Sequence, residues 1–436
     1  LPGMSGSFVF DDFSSILLNE DLQRGSINVT DLLQAGWSGM AGPLKRPIAM
    51  MSFALNYATT GDFIAGFKFT NLLIHLANGV LLFLFLRLLL IAHRGLDESA
   101  VNISMIAAVA AAIWLLHPIN LTSVLYVVQR MNSLSAMFSL AAMVSYCAGR
   151  RRLETNQGGG WWLIIAAAPI WVALGVLSKE NAILAVPLMV LIEICFFRLR
   201  TFAARDRTVL LALFALTFIL PIIIGIAYLI AHPDFFSGRF TGRTFTLEQR
   251  LLTEGCVVWF YLSLILLPKL SQFGLYHDDF PVSTSLMDPG FTGVAIGGIT
   301  IALIIAVTVF RRRPMLTFAI GWYLIAHALE STVIALELVH EHRNYLPSIG
   351  VIFALSFAVA RFFHGRISVG YQKTVVAVIL VLCAVMTFLR AGDWSDPVTL
   401  AVVEAERHPN SFRAVYDLGR IQFGLYQMSN KEAHYQ

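Results

Sequence analysis

The sequence predicts an all-α polytopic membrane protein, and three observations carry that reading. The 436 residues are 57% hydrophobic and 13% charged, with a mean hydropathy of +0.71. A soluble domain carries about 25% charged residues. Long apolar runs recur, many near the roughly 20 residues a spanning helix needs. Basic clusters follow alternate runs, which is how inserted helices are oriented.

Taken in order, the runs are 68–92, 102–118, 121–147, 161–178, 181–197, 208–231, 292–310, 315–338, 345–363 and 373–390. The chain opens in "LPGMSG", which resembles the exit of a membrane helix, so a preceding span is expected. That brings the total to roughly 10–11 spans. Arg87/Arg94, Arg150–Arg151–Arg152, Arg198/Arg200/Arg205/Arg207, Arg311–Arg312–Arg313 and Arg361/Arg366/Lys373 mark loops on one side, read as cytoplasmic. The other side then holds residues 1–67, the "HPIN" turn, "SKEN", the loop 232–291, "HEHRNYLP" and the C-terminal segment.

Residues 250–268 are apolar enough to span, yet a crossing there would put Arg311–Arg313 on the wrong side. An interfacial or re-entrant helix is expected instead, with Trp259 and Tyr261 near the headgroups. Three regions result: an outer loop over 1–67, a transmembrane region over 68–394, and a C-terminal segment over 395–436. In that last segment "HPNSFRAVYDLGRIQFGLYQ" resembles the start of a tetratricopeptide repeat. The four cysteines sit in apolar runs without metal-type spacing and read as small core residues.

Ionisable groups in lipid are costly and call for partners. Asn71, His75 and Asn78 share one helical face, which suits interhelical hydrogen bonds or the polar wall of a cavity. Arg130 lies below the outer surface and needs an acid or a phosphate. Lys179 and Glu180 sit at an outer turn. His327 and Glu330 precede a crowd of Glu337, His340, Glu341, His342 and Arg343. The "HEH" spacing gives poor helical geometry for zinc. In "FVFDDF", one of Asp11 and Asp12 suits a helix cap while the other projects into a cleft. Such a cleft would hold an anionic headgroup by its cations, beside a carboxylate that takes a proton.

Together "FVFDDF", "LKRPIAMMSFALNY", "FKFTNLLIHLANGVLLF", "HPINLTSVLYVVQRMNSLSAMF", "LSKENAI" and "HEHRNYLPSIG" resemble the transmembrane, tetratricopeptide-containing O-mannosyltransferases and their bacterial relatives, of the GT-C superfamily. The likeness runs in order over nearly the whole chain. It implies an extracytoplasmic active site in a plasma membrane, the bacterial inner membrane for the bacterial relatives. It also implies a polyprenyl-phosphate sugar donor and a protein or peptide acceptor. The family's acidic motif falls on Asp11 and Asp12. Its Arg-Pro, His-Pro, Lys-Glu and Arg-x-Tyr-Leu-Pro positions fall on Arg46, His117, Lys179/Glu180 and Arg343/Tyr345.

The expected chemistry is then an Asp11 or Asp12 base. Donor phosphate is expected on Arg343, Lys179, Arg130 and Arg46, with Glu180, His117, His342, Tyr345, Glu330, His75 and Arg243 lining the cleft. Arg239 and Arg243 suit a mobile outer loop or an ordinary basic interfacial segment. A pyrophosphate-linked donor, as in oligosaccharyltransferases or O-antigen ligases, would bring a divalent metal to Asp11 and Asp12. A lipid-linked sugar flippase would need polar groups through the full membrane depth, and a scaffold would need none of these residues. No Gly-rich phosphate loop follows a strand, so nucleotide binding lacks support. Membrane lipids are expected partners and nucleic acid is not.

Overall fold

A computed structural model describes residues 2–25, 27–93 and 102–435. Arg94, assigned to a basic loop, lies outside them. Among the described residues the chain is helical, with one isolated β-bridge between Ser285 and Asp288 and no strand. Seven helices are long and apolar enough to cross a membrane: Ile64–Ala92, Val127–Glu154, Glu180–Phe197, Ala204–Ala231, Leu247–Leu266, Thr292–Val309 and Val369–Asp393. The pair Ile103–Leu116 and Pro118–Leu125 bends by 55°. Gly160–Val176, Pro314–His327 and Ser348–Phe363 are shorter apolar helices. The protein is thus an all-α polytopic membrane protein, and each apolar run in the sequence corresponds to one of these segments.

Local chemistry sets the helix boundaries. Asn102 and Ser368 cap their helices by accepting from Met105 and Tyr371 N–H groups. Thr246 and Gln249 form a reciprocal capping box. Asp396 caps a helix with Pro397 at its first turn. The core is built on Ile64–Ala92, which packs on both Arg130–Glu154 and Ile103–Leu116. The four cysteines are buried and free.

Two expectations about length are corrected. The run 315–338 is helical only over Pro314–His327. Downstream, Arg250 takes the carbonyls of Glu330, Thr332 and Leu336, while Arg343 takes those of Glu337 and Leu338. Guanidinium groups thus replace the backbone N–H groups that would have continued the helix. The run 121–147 breaks at Tyr126, where the backbone is extended, before the Arg130–Glu154 helix begins.

The loops sort to two ends of the bundle. At one end Arg150 and Glu193 form a buried bidentate pair, and Arg200 pairs with Glu154. Arg198 donates to the Arg311 carbonyl. Arg150, assigned from the sequence to a cytoplasmic basic loop, is fully buried by that pair. At the other end, called here the site end, Lys68 holds the carbonyls of Gly3 and Gly6, and Arg413 lies 5.2 Å from the Phe10 ring.

The Leu247–Leu266 helix is tied to its neighbours at both termini. Arg250 near its start bonds the segment 330–336, and the Ile265 carbonyl near its finish meets His117 Nε2 at 3.0 Å. Where the sequence predicts an interfacial or re-entrant segment, the structure has a continuous 20-residue helix long and apolar enough to cross a membrane. Of its aromatic pair, Tyr261 lies in the protein interior rather than at an exposed edge. Tyr261 is fully buried and exchanges hydrogen bonds with the His340 backbone, and Trp259 donates to the Ala295 carbonyl.

Candidate functional site

The two aspartates of "FVFDDF" divide the work. Asp12 is fully buried, and its oxygens accept from the N–H groups of Val9 (3.0 Å) and Val128 (2.7 Å). Burial pushes this carboxyl up to about 7, against those backbone bonds and the charge of Lys68. It ties the N-terminal loop to the turn that starts the Arg130–Glu154 helix and makes no side-chain cap. Asp11 is exposed. Its backbone N–H donates to the Tyr126 hydroxyl at 3.1 Å. Although solvent reaches it, crowding by surrounding protein raises the Asp11 carboxyl; Tyr126, Arg413 and Arg46 lower it, and Glu337 raises it again.

Backbone strain accompanies this geometry. Phe10, just before Asp11, has φ of 43°, and Lys45 and Arg46 have φ of 58° and 55°. Bulky residues rarely occupy that region, and outliers of this kind cluster at functional sites. Gly42 in the same loop has φ of 72°, and a Cβ there would lie 2.0 Å from Glu180 Oε1.

Around Asp11 the structure gathers a network of both signs. Arg46 Nε meets Glu180 at 3.1 Å and its Nη1 meets the Met131 sulfur at 3.4 Å. Lys179 Nζ lies 2.6 Å from Glu330 and 3.3 Å from Asn132 Oδ1. Glu337 receives both Arg243 at 2.7 Å and Arg413 at 2.9 Å. His340 and His342 stack with ring centres 5.0 Å apart. Burial, with the charges of Arg343 and Lys179, holds both imidazoles well below their usual range and therefore neutral. Arg343 is buried, engages backbone carbonyls, and lies 4.0 Å from Glu254. It shapes the 337–343 loop.

The site end thus unites Asp11, Arg46, Lys179, Glu180, Glu330, His342, Arg343 and Arg243. Four other expected residues lie in the core instead. Arg130 has neither an acid nor an open face for phosphate. It is fully buried and donates to Asn71, Asn56 and the carbonyls of Ser52 and Phe67, under the ring of Phe53. His75 and Asn78 both bond the Tyr345 hydroxyl, and His75 also meets the Leu115 carbonyl. His75 and Tyr345 are therefore interhelical links rather than cleft wall. His117 clamps the bend in its broken helix, meeting the Ile265 carbonyl and accepting from Ile119 N–H. Two residues the sequence did not single out enter the cleft, Tyr126 and Arg413.

The divalent ion that both aspartates together could hold has no fitting donor set, because Asp12 is taken up by backbone N–H groups. Among the described residues no three His, Cys, Asp or Glu side chains gather as metal ligands.

Fold and site define a polytopic helical membrane protein with an exposed aspartate, next to a strained Phe10, beside a cation-rich cleft at one end of its bundle. Comparison with curated proteins gives the particular resemblance. The chain is 22% identical to the protein O-mannosyl-transferase Tmtc3 of Drosophila melanogaster, over 90% of this chain and 48% of that protein. It is 30% identical to Drosophila Tmtc2 over 66% of this chain and 30% of that protein. It is 22% identical to the Caenorhabditis elegans protein O-mannosyl-transferase F38B6.6, over 97% of this chain and 58% of that protein. The chain spans about half the length of the curated relatives it matches, or less. The resemblance carried by the motifs is therefore to the protein O-mannosyl-transferases. No family model matches the chain. No solved structure matches it.

Proposed function

We propose that the chain is the membrane part of a GT-C type glycosyltransferase. It moves a sugar, mannose by analogy with its relatives' names, from a polyprenyl-phosphate carrier to a protein hydroxyl. The single observation that carries this reading is the exposed Asp11 carboxyl between the Tyr126 hydroxyl and a field of arginines. Asp11 is the general base: it takes the proton of the acceptor hydroxyl as that oxygen attacks the anomeric carbon. The bond from that carbon to the phosphate oxygen breaks, and the electron pair leaves with the phosphate. An acidic phosphate needs no general acid; it needs preorganised cations.

Arg46 is the best-placed cation for that phosphate. Its two hydrogen bonds use Nε and Nη1, whereas both terminal nitrogens of Arg343 are taken by backbone carbonyls. Lys179 and neutral His342 complete the donor wall. The site end faces the extracytoplasmic side, in agreement with arginine clusters gathering at the opposite end. For a bacterial chain this is the periplasmic face of the inner membrane. The helices Pro397–Arg407 and Phe412–Tyr435 begin a tetratricopeptide array that presents the acceptor chain.

The test is transfer from a synthetic polyprenyl-phosphate mannose to an acceptor protein. Asp11→Asn should retain the fold and lose roughly 10²–10⁴-fold in rate. Full activity in that variant would refute the assignment.

A further inference from the structure

Away from the cleft, a cavity of about 1150 Å³ opens at the arginine end. Small-molecule pockets usually span roughly 300–1,000 Å³, so this one is large. Its roof is the Leu247–Leu266 helix, through Trp259 and Leu262. Its walls are apolar faces of Thr292–Val309, Pro314–His327 and Ser348–Phe363, where the small side chains of Ala319, Ala354 and Ala358 leave space.

The rim has the opposite character. Arg311, Arg312, Arg313, Arg361 and Arg366 line it and are exposed. Other arginines at this end have carboxylate partners, Glu193 for Arg150 and Glu154 for Arg200. The five rim arginines have none among the described residues. Arg311 and Arg366 lie over the Phe310 and Phe362 rings, and Arg366 also donates to the Phe362 carbonyl. A cluster of unpaired cations over an apolar chamber is complementary to an anionic headgroup on hydrocarbon chains.

We infer that this cavity is a binding site for an anionic glycerophospholipid, with its phosphate among the rim arginines and acyl chains beneath the Leu247–Leu266 helix. The site is distinct from the proposed donor position. The Pro314–His327 helix alone, 14 residues long, separates the two ends by about 21 Å. Acyl chains gain little on leaving one apolar medium for another, so selectivity rests on headgroup charge, roughly fivefold in affinity for each arginine near the phosphate.

The experiment is native mass spectrometry of the full chain released from detergent with equal phosphatidylglycerol and phosphatidylcholine. Wild type should retain phosphatidylglycerol preferentially. Arg312→Gln/Arg313→Gln/Arg361→Gln, all at exposed positions, should lose that preference while melting with wild type in phosphatidylcholine. Ala354→Trp should expel both lipids. Equal retention of the two lipids by wild type, or a preference surviving in the triple variant, would overturn the inference. So would equal competition by inorganic phosphate, which would make this a plain anion site. Displacement of phosphatidylglycerol by a polyprenyl phosphate would assign the cavity to the donor's tail and equally overturn it.

Discussion

Replacing Asp12 by alanine should unfold the link between the N-terminal loop and the helix bundle. The change strands the N–H groups of Val9 and Val128 in a fully buried place. Each orphaned buried donor costs about 1–3 kcal/mol, so the pair costs roughly 2–6 kcal/mol. Asparagine keeps one acceptor oxygen but turns an NH2 toward the second N–H, so about half of that loss is expected. Asp11→Asn removes an exposed carboxyl that holds no backbone donor, and such changes usually stay within about 0.5 kcal/mol. The assay is thermal unfolding in detergent at one fixed scan rate, followed by tryptophan fluorescence, beside transfer activity. Asp12→Ala should melt several degrees lower, and Asp11→Asn should melt with wild type while inactive. An Asp12→Ala protein as stable as wild type refutes the backbone-tie role. An Asp11→Asn protein as unstable as Asp12→Asn refutes the division between the two aspartates.

Arg413 lowers the Asp11 carboxyl. Arg413→Gln should therefore move the acidic limb of the pH–rate profile to higher pH, because the base must be deprotonated to act; a downward shift contradicts the arrangement. Burial pushes Glu404 up to about 7 from 4.5, although the Leu275 and Tyr276 N–H groups pull it down. A raised folded value means that the folded state holds the proton, so this contribution is full below about 4.5 and is lost as pH rises through 7. Protease protection of the C-terminal helix pair should fall across that window, and Glu404→Gln should abolish the dependence. Gly42→Ala faces about 1–2 kcal/mol for its left-handed backbone as well as a collision with Glu180. It should lower the melting temperature and, by displacing Arg46, raise the donor KM; unchanged values for both would show that the loop adapts.

Hydropathy made the helices legible because lipid rewards the same apolar runs wherever they pack. It could not show the shortened Pro314–His327 helix. The groups that unwind the following segment, Arg250 and Arg343, are brought there by folding. Polar residues in lipid were visible, but their tasks were not. Asn71 and His75 make interhelical bonds, one of the two roles their shared face allowed, to the carbonyls of Val124, Val127 and Leu115, while Arg130, expected on a phosphate, serves Asn71, Asn56 and the Ser52 and Phe67 carbonyls. The motifs Asp11, Arg46, Lys179/Glu180 and Arg343 do converge. Arg413 had no local signal at all, since its partner Glu337 and its neighbour Phe10 come from distant loops.

The meeting of Phe10 with Arg413 also sets an order of events. Synthesis runs from the N-terminus, and segments fold as they emerge. Asp11 is among the earliest of these groups to be made and Arg413 the latest. The cleft is therefore closed only after every helix between them has been inserted. Until then the aspartate stands without its last cation, and a chain halted before residue 395 would insert a bundle whose N-terminal loop lacks that contact. Completion of the cleft is thus a built-in report that the whole membrane region is in place.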